Sequence, residues 1–211
     1  EGDDLRVDAL EAALAAAAAG GAEGLMLKAL DGPPGEYVPA ARSLAWLKLK
    51  VDYTSSGGDG VDAVVVGAWR GHGRKKDWLS PLLLAVRSDD GSFASVCRVM
   101  SGFSDAAYGE LTARLTPLAR STRPSSVSTR DTPPMWFDPA ASEVWEVKGA
   151  ELSASRVHTA ALGRVPGAGG DRGLALRFPR FVRARPDKKV GEAKAAATLV
   201  AAYAAQARRL G

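Results

Sequence analysis

Apolar and polar positions alternate most regularly at Ser43–Tyr53, where Ala45, Leu47, Leu49 and Val51 recur at period two and Trp46, Lys48 and Lys50 fill the positions between. The pattern predicts a strand with its aliphatic set toward a core and paired ammonium groups on the opposite face. Like charges held that close are unfavourable without an anion between them, so a phosphate-bearing ligand is a natural partner. The same spacing also fits a solvated strand face in a basic protein.

Upstream, Asp3 and Asp4 precede an alanine-rich segment in which Val7, Leu10 and Leu14 follow helical spacing until Gly20-Gly21. Gly24–Leu30 reads as a short buried strand, followed by a Gly32-Pro33-Pro34-Gly35 turn. Residues 1–53 are therefore expected to be the last helix and strands of a mixed α/β domain. Thr54–Gly60 is rich in small residues that tolerate large backbone changes, and is expected to be a hinge. Beyond it, β-like runs at Val61–Trp69, Leu82–Arg87, Phe93–Val99, Val144–Val147 and Leu174–Val182 are separated by glycine and proline turns. Short strands so punctuated predict a β-barrel of the oligonucleotide-binding (OB-fold) type over residues 61–190. A helix is expected over Ser104–Ala119, through Tyr108, Leu111 and Leu115; residues 121–134 read as a loop and 191–211 as a terminal helix. The predicted fold class is thus α+β, a partial α/β domain followed by a barrel with helical additions.

With 211 residues, 46% hydrophobic and 25% charged, the chain can bury a core and is not disordered by composition. A formal net charge of +4 favours polyanion partners without identifying one. Cys97 is the only cysteine, which excludes an internal disulfide and suits a reducing compartment. It lies in an apolar run and reads as a buried thiol. No apolar run is long enough to span a bilayer as a helix, and a monomer is expected. The chain begins at Glu1 rather than Met, which suggests truncation. His72 and His158 have no cysteine or carboxylate at ligand spacing, so a zinc site is not expected. Trp136 and Trp145 read as core residues.

Ser43-x-x-Trp46-Leu47-Lys48-Leu49-Lys50 followed by Asp52-Tyr53 resembles the last nucleotide-binding motif of ATP-dependent DNA ligases. Glu23-Gly24-Leu25-Met26-Leu27-Lys28 is similar to the family's Glu-Gly-Leu-Met-Val-Lys. The run Asp62–Arg74, Ser101-Gly102-Phe103-Ser104-Asp105, Val144–Lys148 and Leu176–Phe181 fit the same family, and of its subfamilies the replicative type resembles the chain most. The resemblance implies joining of nicks in duplex DNA with ATP and Mg²⁺, through lysyl-AMP and DNA-adenylate intermediates. It also implies a nuclear location, or a cytoplasmic one in a prokaryote, and leaves room for a sliding-clamp partner engaged outside this chain.

Residue by residue, the resemblance places Lys48 and Lys50 on the nucleotide α-phosphate as catalytic and cofactor-binding groups. It places Glu23 at a divalent metal, where a carboxylate is the right hard ligand. Without it, Glu23 is an ordinary strand-edge acid. In the basic run from Arg177 to Lys189, it puts Arg177, Phe178 and Arg180 against nicked DNA, with Phe178 in the minor groove. Pro179 argues against a regular central strand there. Arg185, Asp187 and Lys188 match the segment that orients the pyrophosphate leaving group, and Pro186 stands where an acid is usual. Arg74 and Lys75, in the turn Gly71–Lys76, are expected on the DNA backbone, or on a solvated hairpin tip.

The nucleophile motif Lys-x-Asp-Gly does not occur; Lys28-Ala29-Leu30-Asp31-Gly32 has one residue too many. This chain is therefore expected to be the C-terminal part of a ligase, unable to self-adenylate. An RNA ligase or capping-type nucleotidyltransferase, and a non-catalytic DNA-binding module, remain as alternatives.

Overall fold

The computed structural model describes residues 2–20, 22–30, 45–50 and 60–210. The chain forms two compact units, Glu1–Gly58 and Asp59–Gly211. Most of the expected hinge, residues 54–59, lies outside the described residues.

In the first unit, helix α1 (Gly2–Ala19) precedes strands β1 (Gly24–Lys28) and β2 (Trp46–Lys50). The strands pair antiparallel, with Leu25 opposite Leu49 and Leu27 opposite Leu47 on one face, and Met26 opposite Lys48 and Lys28 opposite Trp46 on the other. Leu14 of α1 is buried. The expected burial of the strands is not reached: no β1 position is fully buried, and Leu47 is 51% exposed. Alternation predicts which face is apolar, but covering that face takes a second layer, and among the described residues only one helix accompanies this two-stranded ladder.

The second unit contains β3 (Val61–Arg70), β4 (Leu79–Arg87), β5 (Phe93–Val99), α2 (Asp105–Leu115), β6 (Val127–Ser128), β7 (Met135–Trp136), β8 (Val144–Lys148), β9 (Glu151–Ser155), β10 (Gly173–Arg177), β11 (Arg180–Ala184) and α3 (Ala196–Leu210). Its main sheet runs β11-β8-β3-β4-β5-β6, with β7 also on β3. Among the described strand pairs, β5 and β6 alone run parallel, and an isolated parallel bridge joins Arg87 to Ala195. Strands β3 to β5 are near-continuous aliphatic runs because both faces are covered. Val65, Leu82, Leu84, Tyr108, Leu115 and Trp145 join one core; Val64, Val66, Leu83 and Trp136 join another.

Strand β8 continues into β9 past Gly149, where a Cβ would stand 2.5 Å from Leu176 Cγ and 2.6 Å from the Arg177 carbonyl. Strand β9 pairs antiparallel with β10 in a sheet of its own. Instead of a ladder from β10 to β5, a short segment bridges them: the Thr159 and Ala160 amides donate to Ser95 O at 3.0 and 2.9 Å, and Leu174 N donates to Ala160 O at 2.7 Å. Among the described residues the expected barrel region is a seven-stranded sheet and a two-stranded one, in a mixed α+β architecture, with no closed barrel formed between them.

Ser104 caps α2 by accepting from Ala107 N at 3.1 Å, and the helix buries Tyr108, Leu111 and Leu115; such a cap contributes about 1 kcal/mol. Helix α3 starts later than expected and packs within the second unit. Ala196 and Leu199 are buried, and the Gln206 side-chain amide exchanges two hydrogen bonds with the Leu152 backbone at 2.9 and 3.0 Å. The single strand expected over Leu174–Val182 is split into β10 and β11 by Phe178-Pro179, since proline cannot donate to a ladder.

Candidate functional site

In the first unit the β1–β2 register brings Glu23 and Lys48 together, with Nζ to Oε2 4.0 Å and both side chains more than half exposed. Lys50 pairs with Gly24 through the backbone; its side chain lies outside the described residues. Lys28 Nζ lies 4.2 Å from the centre of the Trp46 ring. The same face therefore carries an exposed carboxylate and an exposed ammonium. Among the described residues no group of three or more His, Cys, Asp or Glu could hold a metal. One carboxylate fits Mg²⁺ only as a single ligand beside phosphate oxygens and water.

In the second unit the turn between β10 and β11 presents Arg177, Phe178 and Arg180. Phe178 is 65% exposed and has φ of 51°, a left-handed conformation that is unusual for a bulky residue and costs on the order of 1–3 kcal/mol. The Arg177 guanidinium lies 5.2 Å from its ring centre. The turn is held from the loop after β5. Ser101 Oγ donates to Pro179 O at 3.0 Å, Phe181 N donates to Ser101 O at 2.9 Å, and Phe103 stacks on Phe181 with ring centres 4.4 Å apart. Gly102, at φ 93°, approaches so closely that a Cβ would sit 2.2 Å from Phe181 O. On the other side Ala150 N donates to Arg177 O at 2.9 Å. Two distant glycine loops thus fix an exposed aromatic between two cations.

At the far end of β11 the cations are neutralised. Asp62 on β3 and Glu146 on β8 are direct cross-strand neighbours, an unfavourable juxtaposition of like charges. Arg185 Nη1 donates to Asp62 Oδ1 at 3.1 Å and lies 3.7 Å from Glu146 Oε2. Lys188 Nζ donates to Asp62 Oδ2 at 2.5 Å, and Arg183 Nε to Glu146 Oε2 at 2.8 Å. Arg185 also holds Asp187 through Nε and Nη2, at 3.0 and 2.8 Å. That hydrogen bonding lowers the Asp187 pKa to about 2 and raises that of Arg185. Sequence reasoning missed Asp62 and Glu146. The available signal was an acid beside the aliphatic run Ala63–Val66, since a buried carboxylate requires a cationic partner.

The basic turn at Gly73–Lys75 divides its cations. Arg74 points out, 75% exposed, and pairs with Asp105 at 3.1 Å. Lys75 turns inward: Nζ donates to Met100 O at 3.0 Å and to Tyr108 Oη at 2.7 Å, and Tyr108 stacks on Trp78. Of the remaining candidates, His158 is lowered to about 4 chiefly by burial and contacts Ser95 Oγ at 3.3 Å. Cys97 is buried, which pushes its thiol up to about 12. The buried Trp136 and Trp145 are core residues, as the sequence predicts.

Residues 75–188 match the family described as the ATP dependent DNA ligase C terminal region, more than half of the chain. The chain belongs to that family. It is 43% identical to DNA ligase 6 of Arabidopsis thaliana over 89% of its length, and 41% identical to DNA ligase 3 of Schizosaccharomyces pombe over 87%. DNA ligase 1 of Arabidopsis thaliana is 41% identical over 95% of the chain. The chain spans 13%, 24% and 25% of these relatives' own lengths, respectively. The ligase match therefore covers both ends of β11, where the exposed and neutralised cations lie.

Proposed function

We propose that this chain acts as the C-terminal region of an ATP-dependent DNA ligase that seals nicks in duplex DNA. The observation that carries the reading is the Arg177-Phe178-Pro179-Arg180 turn, a strained, exposed aromatic flanked by cations and held by Ser101 and Gly102. Such a turn suits phosphate contacts combined with an apolar wedge against bases. Residues 1–53 belong to the adenylation domain, 54–60 to a hinge, 61–190 to an oligonucleotide-binding barrel bridged through Thr159 and Ala160, and 191–211 to its terminal helix.

Sealing proceeds by three phosphoryl transfers, from ATP to a lysine, from that lysine to the DNA 5′-phosphate, and then displacement of AMP by the 3′-hydroxyl. Each transfer depends on neutralising and aligning anions. Lys48 and Lys50 supply positive charge at the α-phosphate, and Glu23 contributes one ligand to Mg²⁺, which would neutralise phosphate charge. Arg185, Asp187 and Lys188 orient the pyrophosphate leaving group. The nucleophilic lysine comes from a part of the ligase outside these residues, since Lys-x-Asp-Gly does not occur here. That absence also favours a second reading, in which this chain in isolation is a DNA-binding module without adenylation activity.

The test is titration of the chain with labelled nicked DNA, intact duplex DNA and nicked RNA across a salt series. The ligase reading expects salt-dependent DNA binding that is tightest at the nick. Binding to intact duplex alone would favour the non-catalytic module, and preference for nicked RNA would favour an RNA ligase.

A further inference from the structure

Lys188 and Arg185, assigned above to the pyrophosphate, share a carboxylate for which the reaction just described has no use. Asp62 is 8% exposed and accepts from Arg185 Nη1 at 3.1 Å and Lys188 Nζ at 2.5 Å. These two residues begin and end a tight turn in which Lys188 N donates to Arg185 O at 3.0 Å. The first strand of the main turn-bearing sheet fixes Asp62 itself: it lies in β3 opposite Glu146 of β8, and its carbonyl accepts from Lys194 N at 2.8 Å. One rigid carboxylate therefore grips both ends of the turn while Asp187, between them, stays 59% exposed.

We propose that Asp62 is a positioning residue for nucleotide phosphate, holding the Arg185–Lys188 turn in the shape that presents Asp187 and Lys188 to the leaving group. The proposal rests on the reading of that turn given above. Asp62 does not itself touch phosphate; an acid there would repel it. It orders two flexible cationic side chains in advance, so that less entropy is lost when the phosphate arrives. Glu146 assists by taking Arg183 and leaving Asp62 to the turn.

The experiment uses the complete ligase carrying this region, comparing wild type with Asp62→Asn, Asp62→Glu and Lys188→Ala. Lysyl-AMP formation from ATP should fall about tenfold in both Asp62 variants, while sealing of a pre-adenylated nick stays within about twofold, because only the first step releases pyrophosphate. Independently of activity, amide hydrogen exchange at Arg185 and Lys188 should rise at least about tenfold in Asp62→Asn, with Val64–Val66 unchanged. Equal loss in both chemical steps, or unfolding of both Asp62 variants, would make Asp62 a stability residue and overturn the proposal. Slow adenylation in Lys188→Ala with normal adenylation in Asp62→Asn would overturn the positioning role alone. Normal adenylation in Lys188→Ala would overturn the underlying reading of the turn.

Discussion

At the start of β11, Arg177 and Arg180 flank a 65% exposed phenyl ring and have no ion pair among the described residues. A few residues later Arg183, Arg185 and Lys188 are matched by Asp62, Glu146 and Asp187. In sequence the two ends look alike, as one continuous basic run. They differ because their neighbours differ. At the first end Arg180 stands opposite Lys148 and Arg177 opposite Glu151 without an ion pair among the described residues, and the loop Ser101-Gly102 holds the turn by a hydroxyl hydrogen bond and close approach. The second end meets a cross-strand acid pair. Uncompensated positive charge is therefore set by the neighbours in space, and counting cations along the chain overstates it.

The contrast can be broken most severely at Gly102. Gly102→Ala places a methyl 2.2 Å from Phe181 O at a φ of 93°, so the loop or the start of β11 has to move. A loss of about 2–4 kcal/mol in unfolding free energy is expected, with weakened DNA binding, and denaturant melts plus anisotropy would measure both. A mutant as stable as wild type would mean that the turn is not held by this contact. Next in size, Arg177→Ala combined with Arg180→Ala should weaken binding to nicked duplex by about 2 kcal/mol and flatten the log–log salt slope by about 2, whereas Arg183→Ala, already paired with Glu146, should change the slope by less than about 0.5. Equal slopes for the double and single variants would erase the distinction between the two ends.

Much of this architecture is legible in local sequence, and the site is less so. The Phe93–Val99 strand, the helix through Tyr108, Leu111 and Leu115 and the buried Cys97 follow from β-like runs, helical spacing and apolar context, which are properties of neighbouring residues. Leu47 shows the limit of that reasoning, since an apolar alternation is blind to whether anything covers it. Ser101-Gly102-Phe103 and Arg177–Phe181 are each recognisable as motifs, yet their contact joins Ser101 to Pro179, 78 positions away. The Arg185–Asp62 pair spans 123 positions. No periodicity encodes such pairings. They arise from strand order, and with them comes the division of one basic run into an exposed end and an ion-paired end.

The Gly73–Lys75 turn repeats the contrast at smaller scale. Lys75→Ala removes hydrogen bonds to Met100 O and Tyr108 Oη and should cost about 1–2 kcal/mol of stability, while Arg74→Ala, on an exposed pair with Asp105, should cost under about 0.5 and act on DNA binding instead. Thermal melts and anisotropy of the two variants separate these roles; a Lys75→Ala variant with normal stability and poor DNA binding would reverse them.

The smallest effect expected is also the most direct readout of neutralisation. Asp187 is held at about 2, against an ordinary 3.8, by the hydrogen bonds from Arg185. Because the folded-state value lies below the unfolded one, the stabilisation from this pair is fully present above pH of about 4 and is lost as pH falls toward about 2. An NMR titration following the Asp187 carboxyl carbon should give a midpoint near 2 in the wild type, returning toward 3.8 in Arg185→Gln. A wild-type midpoint already near 3.8 would mean that Arg185 does not hold Asp187 in solution. Arg185 would then be shared between Asp62 and Glu146 only, and Asp187 would stand as an unpaired carboxylate at the tip of the turn.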